Sequence, residues 1–194
     1  KVGLQDRLAE WHLLEPILLA LPESERIRID PNRSWSLEDW TFWSARLNDH
    51  LPCLEFVEEP FPHDTPAGVW LEIAHQTLIP LALDESLSGS GLAQWHGLRW
   101  PGYWIVKPSL MGPPDSWMEL LAPARHKIIL SSAFETAIGL TALLRIAARL
   151  PHQTVHGLGT QAWFNDDWGL PQDGPFLHPP DPTRLEALWN SICD

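Results

Sequence analysis

The chain has 194 residues, of which 44% are hydrophobic and 20% are charged, a composition typical of one globular domain with a substantial core. Its formal net charge of −12 argues against a nucleic-acid partner, because phosphate binding requires clustered lysine and arginine side chains that this sequence lacks. The two cysteines, Cys53 and Cys193, match no disulfide framework or zinc spacing, so we expect a reducing, cytoplasmic compartment. The sequence contains no long apolar run and no signal-peptide pattern, which argues against membrane insertion.

Segments with helical and extended patterns alternate along the chain. The first helix is predicted over residues 4–19, where Pro16 is expected to end or kink it. Ser36 is expected to cap the second helix, because its hydroxyl can accept a hydrogen bond from a backbone N–H of the first turn. The later helices are predicted over residues 36–50, 65–76, 114–124, 136–150 and 183–192. The strands are predicted over residues 26–30, 54–58, 79–84, 103–107 and 127–132, with a weaker candidate at 153–155.

This alternation of strand and helix implies parallel strands that are joined by right-handed crossover helices. An open doubly wound sheet usually has a glycine-rich phosphate turn after its first strand, and the sequence contains no such turn. A β/α barrel fits better, because its reactive groups come from the carboxyl-terminal ends of successive strands. We therefore predict an α/β protein with a TIM-type barrel.

A polar residue stands at the end of each of four successive strands. These residues are Asp30, Glu58, Asp84 and Lys107, at intervals of 28, 26 and 23 residues. A single acid after a strand is usually a turn residue or a helix cap, but three acids in phase with a β/α repeat favour a shared site. Because three carboxylates repel one another and Mg²⁺ prefers oxygen ligands, the pattern predicts a magnesium site.

Lys107 ends an apolar strand directly, which gives two interpretations. A lysine that is desolvated in a barrel mouth has a lowered pKa and can act as a base or as a cation that stabilises negative charge. Alternatively, the side chain extends to the surface and leaves only its aliphatic part buried.

The sequence resembles the enolase superfamily and, within its muconate-lactonizing-enzyme-like subgroup, the o-succinylbenzoate synthases. This resemblance spans nearly the whole chain and is carried by six segments together. They are Lys1-Val2-Gly3, Arg28-Ile29-Asp30-Pro31-Asn32, Val57-Glu58-Glu59-Pro60, Leu83-Asp84-Glu85-Ser86, Val106-Lys107-Pro108-Ser109 and Ser131-Ser132-Ala133-Phe134-Glu135.

The resemblance implies the (β/α)7β barrel of that superfamily. It also implies that residues 1–194 form the C-terminal barrel domain, from the end of the second barrel strand onward, with a coil and a short helix at about 165–194. The chain begins with Lys1 and no Met, so we expect that the family's N-terminal capping domain and first strands precede this sequence.

The resemblance also assigns roles to the strand-end residues. Asp30, Glu58 and Asp84 would bind Mg²⁺, for which Mn²⁺ is an expected substitute, and Glu59 would be a neighbour of the ligands. Lys1 and Lys107 would be the two catalytic lysines, which face the substrate from opposite sides.

The reaction implied by the resemblance is the dehydration of 2-succinyl-6-hydroxy-2,4-cyclohexadiene-1-carboxylate to 2-succinylbenzoate, in menaquinone and phylloquinone biosynthesis. Lys1 would act first as base and then as acid, while Lys107 would stabilise the intermediate as a cation. The expected substrate contacts are Arg28, Asn32, Ser131, Ser132 and Gly157. Two alternatives stay open at this point, namely that Arg28 pairs with a neighbouring carboxylate such as Asp84 and that the two serines cap the strand end.

Two other functions compete with this one. A racemase of N-succinylamino acids, or a related epimerase, uses the same metal and the same two lysines. The second is that of a non-catalytic binding fragment. A barrel without its first strands leaves an open sheet edge, and such an edge favours pairing with a partner. The sequence leaves the oligomeric state open.

Overall fold

The computed structural model describes residues 1–151, 155–160, 172–173 and 176–193. The chain divides into two compact units, Lys1–Trp104 and Ile105–Asp194. In the part of the chain that is described, no helix is both long enough and apolar enough to cross a membrane.

The first unit alternates strands and helices. The helices are α1 (Arg7–Ala20), α2 (Leu37–Leu47), α3 (Ala67–Gln76) and α4 (Gly91–Gly97). The strands are β1 (Ile27–Ile29), β2 (Leu54–Glu58), β3 (Leu81–Leu83) and β4 (Tyr103–Val106), the last of which begins in this unit. Each strand pairs in parallel with the next, and the register places Ile29 opposite Val57 and Glu58 opposite Ala82. Because parallel neighbours point the same way, their carboxyl-terminal ends lie at one edge of the sheet.

Tryptophan side chains fill much of the space between the strands and helices of this unit. Trp35 and Trp43 stack with their ring centroids 5.0 Å apart and are 1% and 0% exposed. Trp40 packs against Phe61, whose ring in turn meets Trp70 edge-on at 4.9 Å. Such large rings bury much apolar area each, so this cluster fixes α2 and α3 against the sheet.

The second unit continues from the end of β4. Its elements are α5 (Pro114–Leu120), β5 (Ile128–Leu130), α6 (Ala137–Ala147), β6 (Gln172–Asp173), β7 (Phe176–Leu177) and α7 (Pro182–Cys193). The Ser131 amide donates to the Val106 carbonyl at 2.8 Å, which joins the ends of β5 and β4. Leu130, Leu140 and Leu121 are fully buried and form the centre of its core.

The predicted order of strands and helices is confirmed through α6. Pro16 does not end the first helix, since α1 runs from Arg7 to Ala20 through Pro16. Pro16 removes the hydrogen bond to the His12 carbonyl, but both residues are exposed, so water can reach that carbonyl. Leu14 and Leu18 are buried on the opposite face and hold the helix on both sides of the proline.

Three predicted segments differ in other ways. The second predicted helix ends at Leu47 and is followed by a 3₁₀ turn over Asn48–Cys53, and the helix near 114–124 likewise ends at Leu120. The short antiparallel pair β6 and β7 lies where only coil was predicted. The strand candidate at 153–155 lies outside the described residues except for Val155.

Candidate active site

Three acidic residues stand at the ends of neighbouring strands in the first unit. Asp30 follows β1 directly, Glu58 is the last residue of β2, and Asp84 follows β3. The register aligns the first two, because Ile29 pairs with Val57. The structure therefore brings the three strand ends to one edge of the sheet, as the spacing in the sequence predicted.

Lys1 lies beside the first of these acids. The Val2 amide donates to the Asp30 carbonyl at 3.1 Å, which continues the pairing at the open edge of β1. The Lys1 ammonium Nζ is 2.6 Å from Asp30 Oδ2 and donates to Asn32 Oδ1 at 3.4 Å. The hydrogen bond with Asp30 raises the pKa of Lys1 despite partial burial, and the charges of Asp30, Glu85 and Glu58 raise it further. Lys1 is therefore held as an ammonium among carboxylates.

The edge of the sheet where Asp30, Glu58 and Asp84 lie has the ligand chemistry of a magnesium site, since carboxylate oxygens suit a hard divalent cation. Asp84 is 9% exposed, and the Asp30 carboxylate already forms an ion pair with the Lys1 ammonium. Among the described residues, however, no three His, Cys, Asp or Glu side chains are grouped so as to hold a metal ion. The donor types fit Mg²⁺, and the assignment of Asp30, Glu58 and Asp84 as its ligands stays a prediction.

Glu59 connects the three loops that follow β1, β2 and β3. Its side chain is 1% exposed, and its Oε1 accepts from Arg33 Nε at 3.0 Å and Arg33 Nη2 at 2.8 Å. The Ser86 hydroxyl and the Ser86 amide donate to the same oxygen. The other oxygen, Oε2, accepts from the Asp84 amide at 2.8 Å. One buried carboxylate thus binds the backbone amides of Asp84 and Ser86 and fixes the position of Asp84.

The predicted substrate contacts Arg28 and Asn32 both lie near Asp30. Arg28 forms a two-point ion pair with Glu55, at 2.7 and 3.1 Å, and its guanidinium lies over the Phe56 ring. This is the alternative in which Arg28 pairs with a neighbouring carboxylate, and the partner is Glu55. Asn32 has a positive φ of 52° and donates its amide to Asp30 Oδ1 at 2.8 Å. It therefore helps to orient the Asp30 carboxylate.

The other predicted site residues belong to the second unit. Lys107 is half-buried at the end of β4, and its carbonyl accepts from the Leu110 amide at 2.9 Å in the turn Pro108–Leu110. Ser131 forms a parallel bridge with Gly157. The Gly157 amide donates to Leu130 at 2.7 Å, and the Ser132 amide donates to Gly157 at 2.9 Å. The structure thus brings Ser131, Ser132 and Gly157 together at the end of β5.

Sequence reasoning missed Glu10, which fixes the backbone after Lys1. Glu10 is 8% exposed, and its carboxylate accepts from the amides of Gly3, Leu4 and Gln5 at 2.6, 2.8 and 3.1 Å. An acid in the first turn of a helix is a common pattern that stabilises the helix terminus, so it gave no signal of this contact.

A family model and several known proteins match this chain. A family model described as enolase C-terminal domain-like matches residues 9–181. A protein named o-succinylbenzoate synthase from Thermosynechococcus vestitus is 33% identical over 196 residues, which cover 99% of this chain and 58% of the relative. A second protein of that name, from an Enterobacter species, is 34% identical over 82% of this chain and 50% of its own length. The chain thus spans about half the length of these relatives.

A solved structure agrees with the sequence relatives. The crystal structure of o-succinylbenzoate synthase from Thermosynechococcus elongatus BP-1, complexed with Mg in the active site, superposes with a TM-score of 0.81. The two sequences are 31% identical, and the alignment covers 98% of this chain and 57% of that one. The predicted barrel class is therefore confirmed.

Proposed function

This chain belongs to the enolase C-terminal domain-like family, and on that premise we propose that the full-length protein is an o-succinylbenzoate synthase. The proposed reaction is the Mg²⁺-dependent dehydration of 2-succinyl-6-hydroxy-2,4-cyclohexadiene-1-carboxylate to 2-succinylbenzoate, a step in menaquinone or phylloquinone biosynthesis. The names of the relatives support this choice. The observation that carries it is the placement of Asp30, Glu58 and Asp84 at one edge of the sheet, with the Lys1 ammonium on the first.

In the proposed reaction Lys1 takes the proton from the carbon next to the substrate carboxylate. The electron pair of that C–H bond is first delocalised onto the substrate carboxylate, which gives an anionic, enolate-like intermediate. It then forms a ring double bond as the hydroxyl leaves, and the protonated Lys1 supplies the proton that makes the leaving group water. Lys107 contributes a positive charge that stabilises the negative charge of the intermediate. A Mg²⁺ ion that is held by Asp30, Glu58 and Asp84 would supply further electrostatic stabilisation of the substrate carboxylate.

The pairing of Lys1 with Asp30 sets a condition on this reaction. A lysine removes a proton only as a neutral amine, whereas the contact with Asp30 favours the ammonium. The amine must therefore separate from Asp30 before it acts as a base. The Lys1 side chain is 61% exposed, so it has room to turn away while the Glu10 contacts hold the backbone amides of Gly3, Leu4 and Gln5.

The test uses the purified full-length protein with Mg²⁺, and in parallel with Mn²⁺, which we expect to substitute. The protein is incubated with the cyclohexadiene carboxylate, and the aromatic product is followed by its absorbance. A second reaction contains an N-succinylamino acid, whose racemisation is followed by polarimetry. We expect rapid formation of 2-succinylbenzoate. Racemisation without any aromatic product would overturn the proposal in favour of a racemase, and inactivity on both substrates would overturn it in favour of a binding function.

A further inference from the structure

Glu135 lies at the centre of a hydrogen-bond network in the second unit. One carboxylate oxygen, Oε1, accepts from the Ser109 hydroxyl. The other, Oε2, accepts from the Ser132 hydroxyl at 2.5 Å and from the Ala133 amide at 2.8 Å. Both oxygens are thus engaged, and they reach two different segments of the chain.

The Ser132 hydroxyl extends this network to a third segment. Its oxygen is 2.7 Å from the Thr160 hydroxyl and accepts from the Phe134 amide at 3.1 Å. Because a serine hydroxyl has a single proton, which Ser132 gives to Glu135, the Thr160 hydroxyl must be the donor in their contact. Ser132 is 6% exposed, so its hydroxyl is saturated by protein groups in a buried place.

The three connected segments are those that carry the predicted site residues of this unit. Ser109 lies two residues after Lys107, Ser132 follows Ser131, and Thr160 lies three residues after Gly157. The backbone between Ser132 and Glu135 adopts a conformation that is rare for bulky residues. Phe134 has a φ of 65°, in the left-handed region, and its side chain is 58% exposed. A residue in this region persists only where surrounding contacts fix it, and here Ser132 binds its amide.

We infer that Glu135 is a positioning residue, which holds the Lys107 turn in a fixed arrangement with the Ser132 and Gly157 segments. The inference rests on the proposed function for the role of Lys107. Through Ser109, Glu135 acts on the turn Pro108–Leu110, which directly follows Lys107. Through Ser132, it acts on Gly157, whose carbonyl accepts a hydrogen bond from the Ser132 amide.

The ionisation of Glu135 agrees with this role. Partial burial raises its pKa, but hydrogen bonds from Ser109, Ser132 and the Ala133 amide outweigh burial, and the resulting pKa is lower than its ordinary value of 4.5. At neutral pH the side chain is therefore a carboxylate that accepts all three bonds.

The test compares three variants of the full-length protein. Glu135→Gln keeps the shape but removes the charge and one acceptor oxygen, and Glu135→Asp keeps the charge but shortens the side chain. Asp115→Asn is the matched control, because Asp115 is an acid of the same unit that pairs with Arg149 and is 85% exposed. Two measurements are made on each variant, steady-state turnover of the cyclohexadiene carboxylate and hydrogen exchange of the backbone amides read by mass spectrometry.

We expect Glu135→Gln to lower kcat by about 100-fold, because a small displacement of a catalytic group is enough for such a loss. KM should change less than kcat, and Glu135→Asp should recover part of the rate. Exchange in residues 107–110 and 131–135 should be about tenfold faster in Glu135→Gln, with α1 and β2 unchanged. Asp115→Asn should behave as the unsubstituted protein.

A normal kcat in Glu135→Gln, or unchanged exchange in residues 107–110, would overturn the inference. So would a loss of kcat that Asp115→Asn shares, because a general loss of stability would then explain it. Failure of the proposed function looks different. If the unsubstituted protein forms no 2-succinylbenzoate but Glu135→Gln still speeds exchange at residues 107–110, the connection stands and the proposed function falls.

Discussion

Replacement of Glu59 by Gln should destabilise the first unit more than any surface substitution of equal size. The change keeps the shape of the side chain and creates no cavity. It removes the negative charge beside Arg33 and replaces one acceptor oxygen by an NH₂ group. Among the groups that now donate to Glu59, only the Ser86 hydroxyl can accept a hydrogen bond from that NH₂ group, because the others are amide or guanidinium N–H donors. Either the Asp84 amide or the Arg33 and Ser86 donors then lose their acceptor.

The expected loss follows from these contacts. A buried donor without a partner costs about 1–3 kcal/mol, and removal of one member of a buried ion pair costs about 3–5 kcal/mol. Since the Arg33 side chain is 30% exposed and water can solvate its charge, we expect a combined loss near the lower limit, about 3 kcal/mol. For a domain of this size that corresponds to a fall in Tm of about 6–12 °C.

Thermal unfolding of the full-length protein measures this effect, with tryptophan fluorescence as the signal because Trp35 and Trp43 are buried in the same unit. Glu38→Gln is the control, since Glu38 pairs with Arg7 but is 78% exposed, and no measurable shift in Tm is expected. A Tm for Glu59→Gln within about 2 °C of the unsubstituted protein would refute the view that Glu59 connects the three loops, since such a shift corresponds to less than about 1 kcal/mol.

Three further predictions concern a helix cap, a lysine with a proposed catalytic role and an acid transition. Ser36→Ala should destabilise the protein by about 1 kcal/mol, seen as a lower Tm, because Ser36 and Asp39 form a reciprocal cap at the start of α2. Lys107→Ala should lower kcat for 2-succinylbenzoate formation by about 10²- to 10⁴-fold while the circular dichroism spectrum is unchanged. Since the pKa of Glu135 is lower in the folded protein, its carboxylate stabilises that state above the unfolded pKa, and this is lost as pH falls through the folded pKa. Protection of residues 131–135 against exchange should therefore fall, relative to its level at neutral pH, as the pH drops below the ordinary glutamate pKa of 4.5 in the unsubstituted protein but not in Glu135→Gln.

Each of these has a clear contrary result. An unchanged Tm for Ser36→Ala would mean that the cap contributes nothing, and full activity of Lys107→Ala would remove that lysine from the chemistry. Equal acid sensitivity of Glu135→Gln and the unsubstituted protein would assign the acid transition to other carboxylates.

The parallel strand order and the strand-end acids could be predicted from the sequence, because both depend on local patterns. The apolar run of β2 and the Ser36 cap each lie within a few residues, and β2 begins and ends where it was predicted, at Leu54 and Glu58. The spacing of Asp30, Glu58 and Asp84 then follows from the repeat length of one strand and one helix.

The supporting contacts could not be predicted, because they join residues that are distant in sequence. Glu59 meets Arg33 across 26 residues, and Glu135 meets Ser109 across the same separation. Arg28 could pair with any nearby acid, and only the structure selects Glu55. The contact of Lys1 with Asp30 depends on the pairing of Val2 with β1, which no pattern in three terminal residues reveals.

We propose that Asp30, Glu58 and Asp84, the acids at the strand ends, hold the metal ion on which the dehydration depends. The most direct test is the rate of 2-succinylbenzoate formation as a function of Mg²⁺ concentration, for the full-length protein, for Glu58→Gln and for Glu72→Gln. Glu72 is a matched control on α3, where it accepts a hydrogen bond from Gln76 on the exposed face. We expect Glu72→Gln to follow the unsubstituted curve and Glu58→Gln to be inactive or to need about 100-fold more Mg²⁺, because one of three carboxylate ligands is lost. An unchanged Mg²⁺ dependence in Glu58→Gln would contradict the claim.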